Sequence, residues 1–217
     1  MKRYKLYLFD FDYTLADSSR GIVMCFQDVL KRNGYPDISD ETIKKTIGLT
    51  LEEAFSSMTG EKDPDVLSRW RKEYVATADR VMNDATRLFD EVPAMLEALR
   101  RQGAKIGIIS TKYRYRIEDF LLRHFESLPV DLIIGGEDVS SAKPSPEGIN
   151  AALERLGIAA EETLYCGDST VDGATARNAG VDFLGVLHGV TPRKELARYP
   201  NVGIAESLIE ILSSCSN

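Results

Sequence analysis

Two carboxylates close an apolar run. In "KLYLFDFDYTL" (residues 5–15), Leu6, Tyr7, Leu8, Phe9 and Phe11 surround Asp10, and Asp12 follows one residue later. An unpartnered charge is costly to bury, so a strand ending in two aspartates needs positive partners. Three further polar residues stand at the ends of apolar runs or beside them: Ser110 after "KIGII", Asp168 after "TLYCG", and Lys143 in "SSAKPSPEG". The set suits phosphoryl transfer, which requires a nucleophile, positive charge around the phosphoryl oxygens and a proton for the leaving group. Asp10 can attack. Asp10 with Asp168 can hold Mg²⁺, a hard cation that prefers oxygen ligands. Asp12, two positions along a strand from Asp10, is expected on the same face, as acid and then base. Ser110 and the backbone N–H groups after it can hold phosphate oxygens, with Lys143 as a fixed positive charge. Singly, Ser110 or Asp168 reads as a helix cap and Lys143 as a solvated lysine; together they read as a site.

The elements that would bring these residues together follow from periodicity. Strands are expected at the start of the chain, at 105–110, 130–136, 163–168 and 181–186, with helices between them. Pro93 in a first turn and Gly103 at a helix end mark one helix, and "SPEG" (145–148) opens another, with Ser145 as cap and Pro146 in the first turn. Such alternation predicts an α/β fold: a Rossmann-like parallel sheet with helices on both faces. In such sheets ligands sit beyond the carboxyl ends of the strands, where Asp10, Ser110 and Asp168 fall. Residues 16–85 break the pattern. Ile22, Cys25, Phe26, Val29 and Leu30 recur at helical spacing, further helices are expected near 40–46, 51–58 and 63–82, and no strand is expected between Ala16 and Asp84. The predicted division is an α/β catalytic core of 1–15 and 86–217 and an inserted all-helical cap of 16–85.

Composition excludes several classes. The 217 residues carry a net charge of −7, which favours solubility and argues against a general affinity for nucleic acid or anionic membranes. The opening apolar run is too soon broken by acid for a signal peptide, and no stretch approaches a membrane span. Cys25, Cys166 and Cys215 form no disulfide or zinc pattern. The expectation is a reduced, cytoplasmic protein, a monomer or weak dimer, acting on a small phosphorylated metabolite.

These motifs resemble the haloacid dehalogenase superfamily, in particular its phosphatases with a helical cap inserted after the first motif. The first motif is Asp10-Phe11-Asp12-Tyr13-Thr14, the second Ser110 with Thr111 in "IISTK", the third Lys143 in "AKPSPEG", and the fourth "GDSTVD" with Asp168 and Asp172. "STKYRYRI" and "AKPSPEGINAAL" look most like phosphoglycolate phosphatases and bacterial inorganic pyrophosphatases. The resemblance implies that Asp10 forms an aspartyl-phosphate and that Asp12 also gives Mg²⁺ its backbone carbonyl. It further implies that Asp168 is the acidic metal ligand, that Ser110, Thr111 and Lys143 bind phosphate, and that Asp172 supports the metal or Lys143 from behind.

Two departures bear on the rivals. Tyr13 stands where many relatives carry glycine, and residues 18–33 lack the cap histidine of hexose-phosphate mutases. A phosphomutase is the nearest alternative, and that missing histidine counts against it. Dehalogenases lack an acid at the position of Asp12, phosphonate cleavage would need a cap lysine (Lys31, Lys44 or Lys45), and a non-catalytic phosphate-binding module would show a broken motif. Substrate selection is assigned to the cap turn around Gly48 with Lys44 and Lys45, and to Tyr13, with Lys112 and Arg114 around the core site as the fallback. His124 and His188, the only histidines, read as structural or surface residues.

Overall fold

The computed structural model describes residues 2–213, so Cys215 lies outside the described residues. In chain order, β1 (Leu6–Phe9) and β2 (Ala16–Asp17) precede four helices: α1 (Ser19–Arg32), α2 (Asp40–Lys44), α3 (Leu51–Thr59) and α4 (Pro64–Val81). Then follow β3 (Arg87–Leu88), α5 (Val92–Arg101), β4 (Lys105–Ile109), α6 (Arg114–Leu122), β5 (Leu132–Ile134) and α7 (Glu147–Leu156). The chain continues with β6 (Thr163–Gly167), α8 (Thr170–Ala179), β7 (Asp182–Val186), α9 (Arg193–Leu196), β8 (Gly203–Ala205) and α10 (Glu210–Ser213). Two compact units result, one of residues up to Ala16 and from Leu88 on, the other Asp17–Arg87.

The first unit is α/β. Its six strands run β5-β4-β1-β6-β7-β8, every neighbouring pair parallel. All four residues of β1 are buried, as both faces of a parallel sheet are covered. Tyr7 and Phe9 pack with Met95 and Leu99 of α5 and Ile117 and Phe120 of α6. Leu6 and Leu8 point the other way, toward Ile149 and Ala152 of α7 and Ala176 of α8. The strand β8, joined to β7 from Leu184↔Gly203 onward, was not expected from sequence: three residues led by glycine show no period. The helix expected from Ser145 begins at Glu147; Ser145 Oγ still accepts the Glu147 N–H at 3.3 Å.

The second unit is helical apart from its terminal residues Asp17 and Arg87, which lie in β2 and β3, two-residue strands that pair with each other. That short pairing is the one departure from the expected absence of strand before Asp84. Its helices carry legible termini. Thr50 and Glu53 form a reciprocal capping box at α3, and Asp63 caps α4 ahead of Pro64. The apolar stripe of α1 meets α3 and α4 around an aromatic cluster. Phe26 and Phe55 lie 4.8 Å apart, centroid to centroid, and Phe55 and Trp70 5.5 Å apart, in edge-to-face arrangements that favour aromatic pairs.

Phe55 is fully buried at the centre of that cluster. Phe55→Ala should therefore destabilise the helical unit by about 3–5 kcal/mol. Trp70 is the sole tryptophan, so its emission during urea unfolding reads this unit directly. The midpoint should move to clearly lower urea.

Candidate active site

Because β1 lies between β4 and β6, the segments leaving those three strands emerge side by side. Asp10, Ser110 and Asp168 are each the first residue past a strand. The Asp10 N–H extends the β1–β6 ladder to Cys166 O (2.9 Å), and the Ser110 N–H extends β4–β5 to Ile134 O (3.0 Å). The Asp10 and Ser110 side chains thus project from backbone that is still held as sheet.

Asp10 follows Leu6 and Leu8 in the period-two pattern, and it meets Lys143 on that face. The Lys143 ammonium lies 3.0 Å from Asp10 Oδ1 and 2.7 Å from Asp172 Oδ1. The Asp10 contact is an ion pair without a donor aimed at that oxygen. Lys143 is placed by a pinned loop. Glu147 accepts the Ser140 and Ser141 N–H groups at 2.7 and 2.8 Å, and Asn178 Nδ2 donates to Pro144 O at 2.8 Å.

Asp172 has its acceptor capacity filled. Oδ1 accepts from Lys143 and from Tyr165 OH (2.9 Å), and Oδ2 from the Ser169 N–H (3.1 Å) and Ser169 Oγ. A carboxylate offers about four lone-pair sites, and four donors occupy them. Asp10, Asp168 and Asp172 each bring an oxygen within 4.8 Å of the other two. Of these, Asp172 is the one already saturated, so its place is behind Lys143 rather than on a cation. Tyr165 was missed from sequence. It reads as one more apolar residue of β6, yet its hydroxyl touches Asp172, Lys143 (3.2 Å) and Ile109 O (3.2 Å). A phenol inside a fully buried strand was the available signal, since such hydroxyls find partners.

Asp12 is held by a different partner from Asp10. The strand ends at Phe9, and Asp12 stands in the turn that follows, so the period-two argument no longer applies. Its carboxylate pairs with Lys112, 3.1 Å from Nζ to Oδ1. The turn continues through Tyr13, the sole non-glycine residue with positive φ (57°) among those described. That left-handed geometry costs an L-residue roughly 1–2 kcal/mol, which glycine would avoid. The Tyr13 N–H closes the turn on Ala16 O at 2.8 Å, and its ring is buried.

Other expected residues have different surroundings. The Lys112 N–H, one of the donors expected to face phosphate, instead reaches Ser110 Oγ at 3.3 Å. Thr111 is half-buried beside Ser110. Arg114 is engaged with Asp138 (2.9 Å) and Glu118 (3.5 Å). Lys45 and Gly48 belong to the helical unit. Lys45 is exposed at the end of α2, and Gly48 has φ of 100° in the turn before α3. His124 bonds Phe120 O, and His188 joins Thr14 O to Glu91, both structural roles.

The charge balance of the cluster is uneven. Asp10, Asp12, Asp168 and Asp172 are all buried, against Lys112 and Lys143. Burial, then the negative charges of Asp172 and Asp12, push Asp10 up to about 7 despite Lys143. Burial and the neighbouring Asp172 and Asp10 raise Asp168 well above the usual carboxylate range. Burial alone would lower Lys143, but Asp10 and Asp172 outweigh it and hold the ammonium above the ordinary lysine value. Asp168 is also closely covered: a Cβ at Gly189 would collide with its carboxylate, so a larger residue there would have to displace that side chain. Two surplus negative charges, held on oxygen donors that include an Asp10 atom lacking an aimed donor, fit a divalent hard cation.

The family profile described as haloacid dehalogenase-like hydrolase matches residues 7–186. The chain belongs to that family. A pyrophosphatase, PpaX, from Bacillus velezensis is 28% identical over 211 residues, covering 97% of this chain and 96% of its own. A phosphoglycolate phosphatase from Yersinia pestis is 29% identical over 185 residues, covering 83% and 80%. Among solved structures, a haloacid dehalogenase-like hydrolase from Bacteroides fragilis superposes with a TM-score of 0.95 at 54% identity, over 96% of this chain and all (100%) of that one. This protein is accordingly an enzyme, a hydrolase of the phosphatase type. No helix among the described residues is long and apolar enough to cross a membrane.

The raised Asp10 value has a consequence for stability. A carboxyl with a higher pKa folded than unfolded takes up a proton on folding, so stability falls as pH rises between the two values. In chelator, the unfolding free energy should fall by a few kcal/mol between about pH 4 and pH 7. Millimolar Mg²⁺ should flatten that decline, because it stabilises the ionised cluster. Urea unfolding across that range, with and without the cation, reads both effects.

Proposed function

We propose that this hydrolase is a Mg²⁺-dependent phosphatase of a small phosphorylated metabolite, an ester or a diphosphate, working through an aspartyl-phosphate on Asp10. The observation that carries the reading is the placement of Asp10 beside both Asp168 and the Lys143 ammonium, with Asp12 on a separate lysine. The similarity to the Bacillus pyrophosphatase and the Yersinia phosphoglycolate phosphatase supports the substrate size.

Asp10, Asp168 and the Asp12 backbone carbonyl would hold Mg²⁺, which when bound offsets carboxylate charge and polarises the phosphoryl oxygens. Lys143 and Ser110 grip the transferring phosphoryl group, and Tyr165 with Asp172 keeps Lys143 aimed. An Asp10 oxygen forms the new bond to phosphorus while the bond to the leaving oxygen breaks, its electron pair departing with that oxygen. Asp12 gives that oxygen a proton. Water then attacks the acyl-phosphate and returns a proton to Asp12, releasing inorganic phosphate and the free Asp10 carboxylate.

Asp10→Asn should lower turnover by at least about a thousandfold, as loss of a nucleophile does, while the fold by circular dichroism stays intact. Excess chelator should abolish wild-type turnover and Mg²⁺ restore it. Activity retained in either case would exclude this mechanism.

Tyr13 borders the same turn as Asp12 and is read as narrowing the leaving-group side. Tyr13→Gly removes the ring and the left-handed strain together. Its kcat/KM for a bulky aryl phosphate should rise relative to the smallest substrates. A uniform loss across substrates with a lower Tm would mean the ring serves packing alone.

A further inference from the structure

The turn that carries Asp12 is bonded from outside at two of its carbonyls. The Phe89 N–H, ahead of α5, donates to Leu15 O at 3.1 Å. His188, in the loop after β7, donates from Nδ1 to Thr14 O at 3.2 Å. The two donors form one unit: the His188 ring lies against the Phe89 ring, with centroids 4.2 Å apart. His188 Nε2 stands 3.1 Å from Glu91 Oε1, and Glu91 accepts from Ser207 Oγ at 2.7 Å. Burial works against the Glu91 carboxylate, but the Ser207 hydroxyl, backbone N–H groups and His188 hold its pKa below the ordinary glutamate value. Glu91 is therefore the acceptor of that pair. Both ring nitrogens of His188 are committed, and its side chain is only 9% exposed.

From this arrangement we propose that His188 is a positioning residue for the Asp12 turn. By holding Thr14 O it keeps in place both the Asp12 carboxyl that protonates the leaving group and the Asp12 carbonyl that faces the cation. The proposal rests on the phosphatase reading of Asp10 and Asp12 and adds the residue that keeps the acid in register.

Packing alone does not call for this residue. A phenylalanine would fill the space beside Phe89, whereas a buried imidazole costs free energy unless its nitrogens are bonded. The turn needs an outside hold. Its internal bonds, from the N–H groups of residues 13–16 to Phe11 O and Ala16 O, shape it without tying it to another element. The positive φ of Tyr13 (57°) is a strained backbone that persists where neighbouring structure enforces it, and the His188 bond falls on the next residue. The same loop reaches the other end of the acidic cluster. The Leu187 N–H is tied to Ala205 O at 3.0 Å, and Gly189 packs on the Asp168 carboxylate. His188 thus joins the turn bearing Asp12 to the loop covering Asp168, while Lys112 holds the Asp12 carboxylate. It acts on the chemistry through Thr14 and touches no reacting atom.

The test uses two amides that each replace one ring nitrogen. Asparagine puts its N–H groups near the place of Nδ1, and glutamine near that of Nε2. Phenyl phosphate and p-nitrophenyl phosphate, similar in shape, differ in how much the leaving oxygen needs a proton. His188→Gln loses the Thr14 bond, so its kcat/KM for phenyl phosphate should fall about tenfold further than for p-nitrophenyl phosphate. That is part of the roughly hundredfold or more that a general acid supplies. His188→Asn should keep the wild-type ratio. Mg²⁺ alone, titrated calorimetrically into the substrate-free enzyme, should bind about tenfold more weakly to His188→Gln than to His188→Asn. A difference in the ratio assigns the hold to the acid, and one in Mg²⁺ affinity assigns it to the carbonyl; either supports the proposal. Equal ratios and affinities in the two variants, or the reverse order, overturn it whatever their Tm and leave His188 as packing. If His188→Gln fails to fold, His188→Phe, which keeps the ring against Phe89 and removes both donors, takes its place. The parent reading is judged separately: p-nitrophenyl phosphate turnover that Asp10→Asn abolishes keeps it standing even where the two amides are alike. Without wild-type turnover on either ester that reading falls, and the Mg²⁺ titration alone decides the role of His188. No Mg²⁺ binding by the wild type as well overturns both.

Discussion

The centre of this molecule is a cluster of buried charge that does not balance. Four carboxylates and two ammonium groups converge where the middle strands of a parallel sheet end, and buried charge is stable only when paired and hydrogen-bonded. Most of the local structure answers that demand. The Asp10 and Ser110 amides stay tied to the sheet, the 139–146 loop is pinned from both sides, and Asp172 is saturated by four donors. The remaining excess is negative and sits on Asp10 and Asp168, the pair with oxygen left to offer. Stability on its own would have placed apolar residues here. The surplus is better understood as a site poised for a cation and a phosphoryl group.

The same cluster separates jobs that a linear motif runs together. Asp10 and Asp12 are neighbours in sequence, yet they are held by different lysines from different loops, one after β5 and one after β4. The separation depends on the chain leaving the strand at Phe9 and turning through Tyr13, so that Asp12 meets Lys112 while Asp10 meets Lys143. Local strain such as the positive φ of Tyr13 persists where the surrounding structure enforces it; here Tyr13 is enclosed and its N–H is bonded to Ala16 O. Behind the first layer, Tyr165 and Asp172 form a second one, hydrogen-bonded to each other, Lys143, Ser169 and the end of β4. A network satisfied to that degree fixes orientation more firmly than any single contact.

The helical unit follows a separate logic. It has its own core, centred on Phe26, Phe55, Trp70 and Tyr74, and helix ends written by Thr50, Glu53, Asp63 and Pro64. Its interior is held by apolar and aromatic packing, to which the exposed Lys45 does not contribute.

Much of this was legible in the chain itself, and the reason is that local rules are short-ranged. Periodicity placed β1, β4, β5, β6 and β7 and the four helices after α1's start to within a residue or two, because burial on one face repeats at 2 or 3.6 residues. Strand ends carrying Asp10, Ser110 and Asp168 were visible for the same reason, and a parallel sheet brings such ends together. The strand β8 was not visible, since Gly203–Ala205 is too short to show a period and forms only because β7 offers an edge. The partner of Asp12 was not visible either. Period-two alternation holds while the backbone is extended, and it lapsed when the chain turned after Phe9. Which ammonium a carboxylate meets, whether Tyr165 is core or network, and that Asp172 backs Lys143 are decided by segments far apart in the chain: a hundred residues or more for Asp12 with Lys112 and Asp10 with Lys143, and 22 and 29 residues for Lys143 with Tyr165 and Asp172. Those contacts exist only once the sheet has assembled, because residue type fixes which charges need partners while the three-dimensional path of the backbone fixes which partners come within reach.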